Sequence, residues 1–225
     1  MRRAQAGFSL IELLIVFSVL AIVASVAIPN LVSARVGASE RAAIATLRSI
    51  GSAQAQAKAA GAIDVDGDGA GEYGYLAELA GSAYARGSAS PIFPTTLSGA
   101  LGAVSTGRVF RSGYVFQMWL PDSAGAGVAE GPTGGATAAG AVDANQSEAA
   151  WAAYAWPVHR QTSGNRAFFL SQAGDLLQCP NEKARYSGTG TTPPFDAAFS
   201  AAGSLRAPLA ANTIGQDGEL WTPVQ

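Results

Sequence analysis

The chain has 225 residues, a formal net charge of −2 and only 13% charged residues. This length suits one domain plus an anchor, and the sequence has no basic stripe of the kind that binds nucleic acid. The single cysteine, Cys179, excludes an intramolecular disulfide, and we expect its thiol to be buried and unreactive.

The N-terminus begins with the short basic stretch MRRAQAG, which an apolar run follows. The 22 residues from Leu13 to Ala34 carry no charge, so a helix over them is about 33 Å long and matches a bilayer core. Arg2 and Arg3 favour a cytoplasmic N-terminus. Glu12 is the exception in this segment, because a carboxylate in lipid is costly and usually marks function.

Two ways of processing this segment are open. A secretory signal peptidase would cut after most of the apolar run, at the small residues of Val23–Ser25 or Ser25–Ala27. In the other, the cut falls before the run, between Gly7 and Phe8. Glycine suits this position, because without a Cβ its backbone can lie close against a protease.

The pattern of Gly7, Phe8, Ser9, Leu10, Ile11 and Glu12, followed by an unbroken apolar helix, resembles the type IV pilin and pseudopilin family. The resemblance is closest over Gly7–Asn30. It implies cleavage after Gly7 by a prepilin peptidase, with methylation of the new amine of Phe8. It also implies an α+β fold, in which a long N-terminal helix packs on a small antiparallel sheet. The implied function is structural: the chain would be a subunit of a pilus-like filament or of a type II secretion pseudopilus.

The resemblance also gives Glu12 a role. Glu12 lies four residues after Phe8, which is about one helical turn. In a filament of this family, its carboxylate would neutralise the Phe8 ammonium of an adjacent copy and recover part of the cost of a charge in lipid. The alternative is that Glu12 extends towards the lipid headgroups without pairing.

Pro29 interrupts the helical pattern. It has no N–H and its ring clashes with the preceding turn, so we expect it to kink or locally melt the helix. The resemblance suggests that this stretch, Pro29 included, bends or unwinds when subunits pack. Alternatively, Pro29 marks the point where the helix leaves the membrane.

Past Pro29 the pattern stays helical, because Ile44, Leu47 and Ile50 recur at about the helical period. We therefore predict one helix over residues 8–61, which Gly61 ends. Its first part, residues 8–34, faces lipid or the filament core. Its second part, residues 35–61, is amphipathic and packs on a head formed by residues 62–225.

The head begins with an acidic turn. Asp64, Asp66 and Asp68 alternate and Gly69 follows, as in the first half of a calcium-binding loop. Glu72 occupies the ninth position of such a loop, but Tyr75 stands where a bidentate glutamate belongs. The sequence leaves two interpretations open: a Ca²⁺ site formed by Asp64, Asp66, Asp68 and Glu72, or an acidic turn in solvent.

Strand patterns follow. Alternating aromatic and aliphatic residues predict strands at 112–120 and 152–158 and a hairpin over 166–179, with the aromatic side chains in the core. Residues 151–178 also resemble the closing strands of pilin heads.

Two segments of the head are predicted to be irregular. Residues 121–150 are small and glycine-rich, which predicts a mobile surface loop. Within it, DANQS matches the bacterial N-glycosylation pattern at Asn145. Residues 183–225 contain scattered prolines and glycines, which predicts an irregular covering of the sheet.

No catalytic motif is present, and His159 is the only histidine, so we predict that the protein is not an enzyme. The resemblance implies that its partners are other copies of itself, the prepilin peptidase and the assembly platform of a pilus or secretion system. The precursor would reside in the inner membrane, and the filament would be extracellular or span the periplasm. The alternative of another class is a secreted calcium-binding module, released by ordinary signal cleavage.

Overall fold

The computed structural model describes residues 9–224. They form three α-helices, namely α1 (Leu10–Ala59), α2 (Leu76–Leu79) and α3 (Ala144–Ala149), and a short 3₁₀ turn, Gly99–Leu101. The strands are β1 (Val109–Arg111), β2 (Tyr114–Pro121), β3 (Gly127–Ala129), β4 (Ala152–Pro157), β5 (Ala167–Ser171), β6 (Leu177–Cys179), β7 (Thr213–Ile214) and β8 (Leu220–Pro223).

The long N-terminal helix is confirmed. α1 has 50 residues and is therefore about 75 Å long. It ends at Ala59, two residues before the predicted stop Gly61, whose left-handed φ of 58° favours glycine and turns the chain out of the helix. The N–H groups of Gly61 and Ala62 donate to the carbonyls of Lys58 and Ala57, each at 3.0 Å, and so close the last turn.

The two halves of α1 differ in burial. From Leu10 to Val32, the large apolar side chains are 41–79% exposed. In the second half, one face is buried in the head at Ala43, Leu47, Ile50, Ala53 and Ala57. These residues recur at intervals of three and four, which keeps them on one side of the helix.

All eight strands belong to one antiparallel sheet, which confirms the α+β class. The strand order is β1-β2-β4-β5-β6-β8-β7, and β3 pairs with the end of β2. α1 lies across one face of this sheet. Its Glu40, which is 6% exposed, pairs with Arg166 next to β5 at 2.6 Å and accepts the N–H of Asn165 at 3.0 Å.

Each face of the sheet has its own apolar core. The core under α1 contains the β2 stripe Tyr114, Phe116, Met118 and Leu120, which the sequence placed on one face. The opposite core holds Tyr154 and Trp156, with Val158 packed against it, as the β4 pattern predicted. Both aromatic stripes are therefore structural.

The opposite core is covered by the C-terminal part of the chain. Ala197, Ala198, Phe199, Leu205 and Trp221 are all 0% exposed there.

The prediction of an unpacked loop over 121–150 is wrong. This segment contains β3 and α3, and it buries Glu130, Ser147 and Ala150. Small side chains let its backbone approach the rest of the head closely, as at Gly134, where a Cβ would lie 2.5 Å from the Ala77 side chain.

The prediction of irregular structure over 183–225 holds for most of the segment but misses two strands. β8 pairs with β6 through Leu177↔Pro223 and Gln178↔Thr222, and β7 pairs with β8. The tail therefore extends the sheet as well as covering it.

Candidate assembly segment and acidic turn

The start of α1 places Glu12 at the first helical turn. Its Oε2 accepts the N–H of Ser9 at 3.0 Å, so the carboxylate satisfies one of the free donors at the helix start. This bond engages one carboxylate oxygen. Gly7 and Phe8, the predicted processing residues, lie outside the described residues.

The surroundings of Glu12 are apolar. Ser18 and Ser25, two polar residues further along, donate their hydroxyls to the carbonyls of Leu14 and Ile22, each at 2.8 Å. Their polar groups are thus satisfied within the helix, which suits a helix in lipid. Among residues 9–224, α1 is the one helix long and apolar enough to cross a membrane.

Pro29 lies within the continuous helix α1. The local melting expected there is absent from this structure. Proline nevertheless has no N–H to donate to the carbonyl four residues earlier, at Ser25. Bending or unwinding on subunit packing stays a prediction.

Residues 2–28 match the family model described as the prokaryotic N-terminal methylation motif. The chain carries a prepilin-type N-terminal segment. The match spans the basic leader, the Gly7–Phe8 junction and most of the exposed apolar part of α1. It therefore coincides with the segment whose residues resemble those of pilins and pseudopilins. Comparison with curated proteins and with solved structures gives no significant match.

The matched segment is the hallmark of type IV pilins and pseudopilins, and it points to a structural protein. The segment and the apolar helix together fit an inner-membrane precursor. Cleavage by a prepilin peptidase is what such a segment implies.

The acidic turn lies just past the C-terminal end of α1, in the head to which the prepilin-type segment is joined. Asp64, Asp66 and Asp68 each place a carboxylate oxygen within 4.8 Å of the others. The Asp64 carboxylate also accepts the N–H groups of Gly67 at 2.8 Å and Gly69 at 3.2 Å, which folds the turn. Hard carboxylate oxygens at this spacing fit a Ca²⁺ ion. Calcium binding stays a prediction.

Glu72 does not join this group, contrary to the predicted ligand set. It is 1% exposed and points into the head. Its carboxylate accepts the N–H of Val65 at 2.7 Å and the hydroxyl of Ser147 at 2.9 Å, and it pairs with Arg86 at 3.2 Å. These partners occupy the oxygens that the calcium loop would need.

Asn145 is exposed on α3, where its side-chain amide donates to Asp66 at 3.4 Å. Asp143 caps the same helix by accepting the N–H of Gln146 at 2.9 Å. The acceptor asparagine of the glycosylation pattern therefore belongs to a short helix, and its modification stays a prediction.

Two residues bear on the question of catalysis. His159 is exposed after β4, and its backbone N–H donates to Ser163 at 3.0 Å. Cys179 is 1% exposed in β6, and burial raises the pKa of its thiol far above the ordinary value. The thiol stays protonated at neutral pH, in keeping with its predicted inertness.

A cluster of buried carboxylates around Arg86 escaped the sequence analysis. Glu78, which is 0% exposed, accepts the N–H of Tyr75 at 2.8 Å and lies 3.6 Å from the Arg86 guanidinium. Glu130, which is 3% exposed, accepts the N–H groups of Ala77 and Gly135 at 2.8 and 3.2 Å.

The charges in this cluster are unequal, since Glu72 and Glu78 pair with the Arg86 guanidinium and Glu130 adds a third buried carboxyl beside Glu78. Burial raises the pKa of Glu130 to about 7, with the hydrogen bonds from Ala77 and Gly135 opposing that shift. Burial also raises the pKa of Glu78. In the sequence, Glu130 directly follows the short segment that forms β3, and no pattern there marks it as buried.

Proposed function

We propose that the protein is a structural subunit that polymerises through α1 into a bacterial type IV pilus-like filament, after cleavage between Gly7 and Phe8. The observation that carries this proposal is the exposed apolar half of α1, which projects from a packed head and lies largely within the prepilin-type segment. Such a surface needs lipid before assembly and other helices after it.

Glu12 supplies the specific contact in this proposal. One of its oxygens holds the Ser9 N–H, and Oε1 remains for the Phe8 ammonium of an adjacent copy. The pair offsets part of the cost of a carboxylate among apolar side chains, and it fixes how far one helix is displaced along the next. The helix then serves as both membrane anchor and filament core.

A type II secretion pseudopilin is the alternative within this class, because the same helix would assemble into a filament that pushes substrates outward. Electron microscopy of cells with and without the gene separates the two. Long surface filaments that disappear with the gene support a pilus, whereas loss of protein secretion without loss of surface filaments supports a pseudopilus.

A secreted calcium-binding module is the alternative of another class, and the acidic turn favours it. Intact mass of the mature protein tests this choice. Loss of Met1–Gly7 with the gain of one methyl group supports the filament subunit. Loss of about 25 residues, as expected for a cut after most of a signal-peptide apolar core, contradicts it.

A further inference from the structure

A groove runs along the head between α1 and the C-terminal strand. It consists of two cavities, of about 530 and 820 Å³, which share Pro223 and Val224 as one wall. The opposite wall is α1, with Arg41 and Ile44 lining the cavity nearer the membrane segment and Arg48 lining the other. We call this feature the helix groove.

The helix groove carries two guanidiniums that take part in no ion pair among residues 9–224. Arg41 and Arg48 are exposed and seven residues apart, so they lie on one face of α1. Within residues 9–224, neither forms an ion pair. Arg166 also lines the groove, but Glu40 neutralises it at 2.6 Å. Asp175 is the one carboxylate among the lining residues.

The acidic turn carries the opposite charge at the far end of the same helix. Asp66 and Asp68 are exposed, and Val65 between Asp64 and Asp66 is 45% exposed. None of these carboxylates forms an ion pair with another described residue.

The two charged surfaces of one copy are too far apart to meet. The turn lies past Ala59, the last residue of α1. Arg48 precedes Ala59 by 11 residues and Arg41 by 18, which correspond to about 17 and 27 Å along the helix.

We propose that the helix groove receives the acidic turn of a second copy of this chain, parallel to the first and displaced along the helix axis by about 17–27 Å. This inference rests on the proposed function, because a filament supplies copies in parallel. Parallel copies in register place carboxylates beside carboxylates and guanidiniums beside guanidiniums, which repel. The displaced arrangement brings opposite charges together, so the head selects one stagger and disfavours lateral pairing in register.

The first test is a zero-length cross-link. Arg48→Lys keeps the positive charge and supplies a primary amine, and a carbodiimide joins an amine to a carboxylate only when the two are in contact. Filaments of this variant are treated in the presence of EDTA, digested, and analysed by mass spectrometry. We expect a link from position 48 to Asp66 or Asp68, and only in protein taken from filaments.

Arg111→Lys is the matched control, because Arg111 is exposed on β1 and does not line the helix groove. It should give no link to the acidic turn. If the Arg48→Lys protein forms filaments but position 48 is not cross-linked to the acidic turn, the docking is refuted and the proposed function is not. A wild-type protein that forms no filaments would instead refute the proposed function.

The second test reverses the charges. Arg41→Asp together with Arg48→Asp should lower filament yield at least about tenfold, since each contact changes from attraction to repulsion. Adding Asp66→Arg and Asp68→Arg to that protein should restore assembly. Equal yields from all of these proteins, at equal levels in the membrane fraction, would contradict the docking.

Discussion

Replacing Glu130 by glutamine should make the head more stable at pH 8 and remove part of the pH dependence of unfolding. The Glu130 carboxyl is buried beside Glu78, and its pKa rises from an ordinary 4.5 to about 7 on folding. Each pKa unit corresponds to about 1.4 kcal/mol, so this group links folding to pH by about 3 kcal/mol.

The direction follows from the raised pKa. The folded head holds the Glu130 proton more tightly than the unfolded chain does, so the stabilisation is complete below pH 4.5 and is lost as the pH rises to about 7 and beyond. Glutamine keeps the oxygen that accepts the N–H groups of Ala77 and Gly135 and never ionises. When the pH rises from 5 to 8, the free energy of unfolding should therefore fall by up to about 3 kcal/mol more in the wild type than in the variant.

Urea unfolding of the full chain in detergent micelles, followed by tryptophan fluorescence, measures this difference. Trp151, Trp156 and Trp221 are buried in the head and report its opening. Glu182→Gln is the control. Because Glu182 is exposed, its removal should leave the dependence of the unfolding free energy on pH as it is in the wild type. If the unfolding free energies of wild type and Glu130→Gln changed equally with pH, the proposed linkage between Glu130 and folding would be refuted.

Three further outcomes are expected. Glu12→Gln should leave membrane insertion unchanged but reduce filament yield at least about tenfold, because the neutral amide cannot pair with an ammonium ion; normal yield in sheared filament preparations would count against the pairing. Leu47→Ala should destabilise the head by about 3 kcal/mol in urea unfolding, whereas Leu20→Ala, at a side chain 56% exposed, should leave the head unaffected; equal midpoints for the two would contradict the assigned burial. Calorimetry should detect Ca²⁺ binding to the full chain that Asp66→Ala abolishes and Asp175→Ala does not; heat that persists in Asp66→Ala would place the ion elsewhere.

The features that the sequence predicted well are those set by local pattern. The apolar run of α1, its end just before Gly61 and the apolar stripe of β2 depend on spacing within a few residues. Such spacing fixes which side of a helix or strand is apolar before any long-range contact is known. The N-terminal segment belongs to this group as well.

The features that the sequence missed depend on distant partners. Glu72 suits a calcium loop by position, but Arg86 lies 14 residues further along the chain and Ser147 lies 75 residues further along, and both are needed to hold it inward. β8 pairs with β6 across 40 intervening residues, and β8 itself has only four residues, too few for a clear pattern. The segment around Glu130 packs through backbone contacts, which hydrophobic periodicity does not record.

Burial of Cys179 has a practical consequence. It is the only thiol in the chain, and it lies in β6 beneath the layer that residues 183–224 form. A maleimide dye can therefore label the native protein only when that layer lifts away. The rate of labelling then reports how often the head opens, and a cysteine introduced anywhere on the surface can be derivatised without interference from the native one.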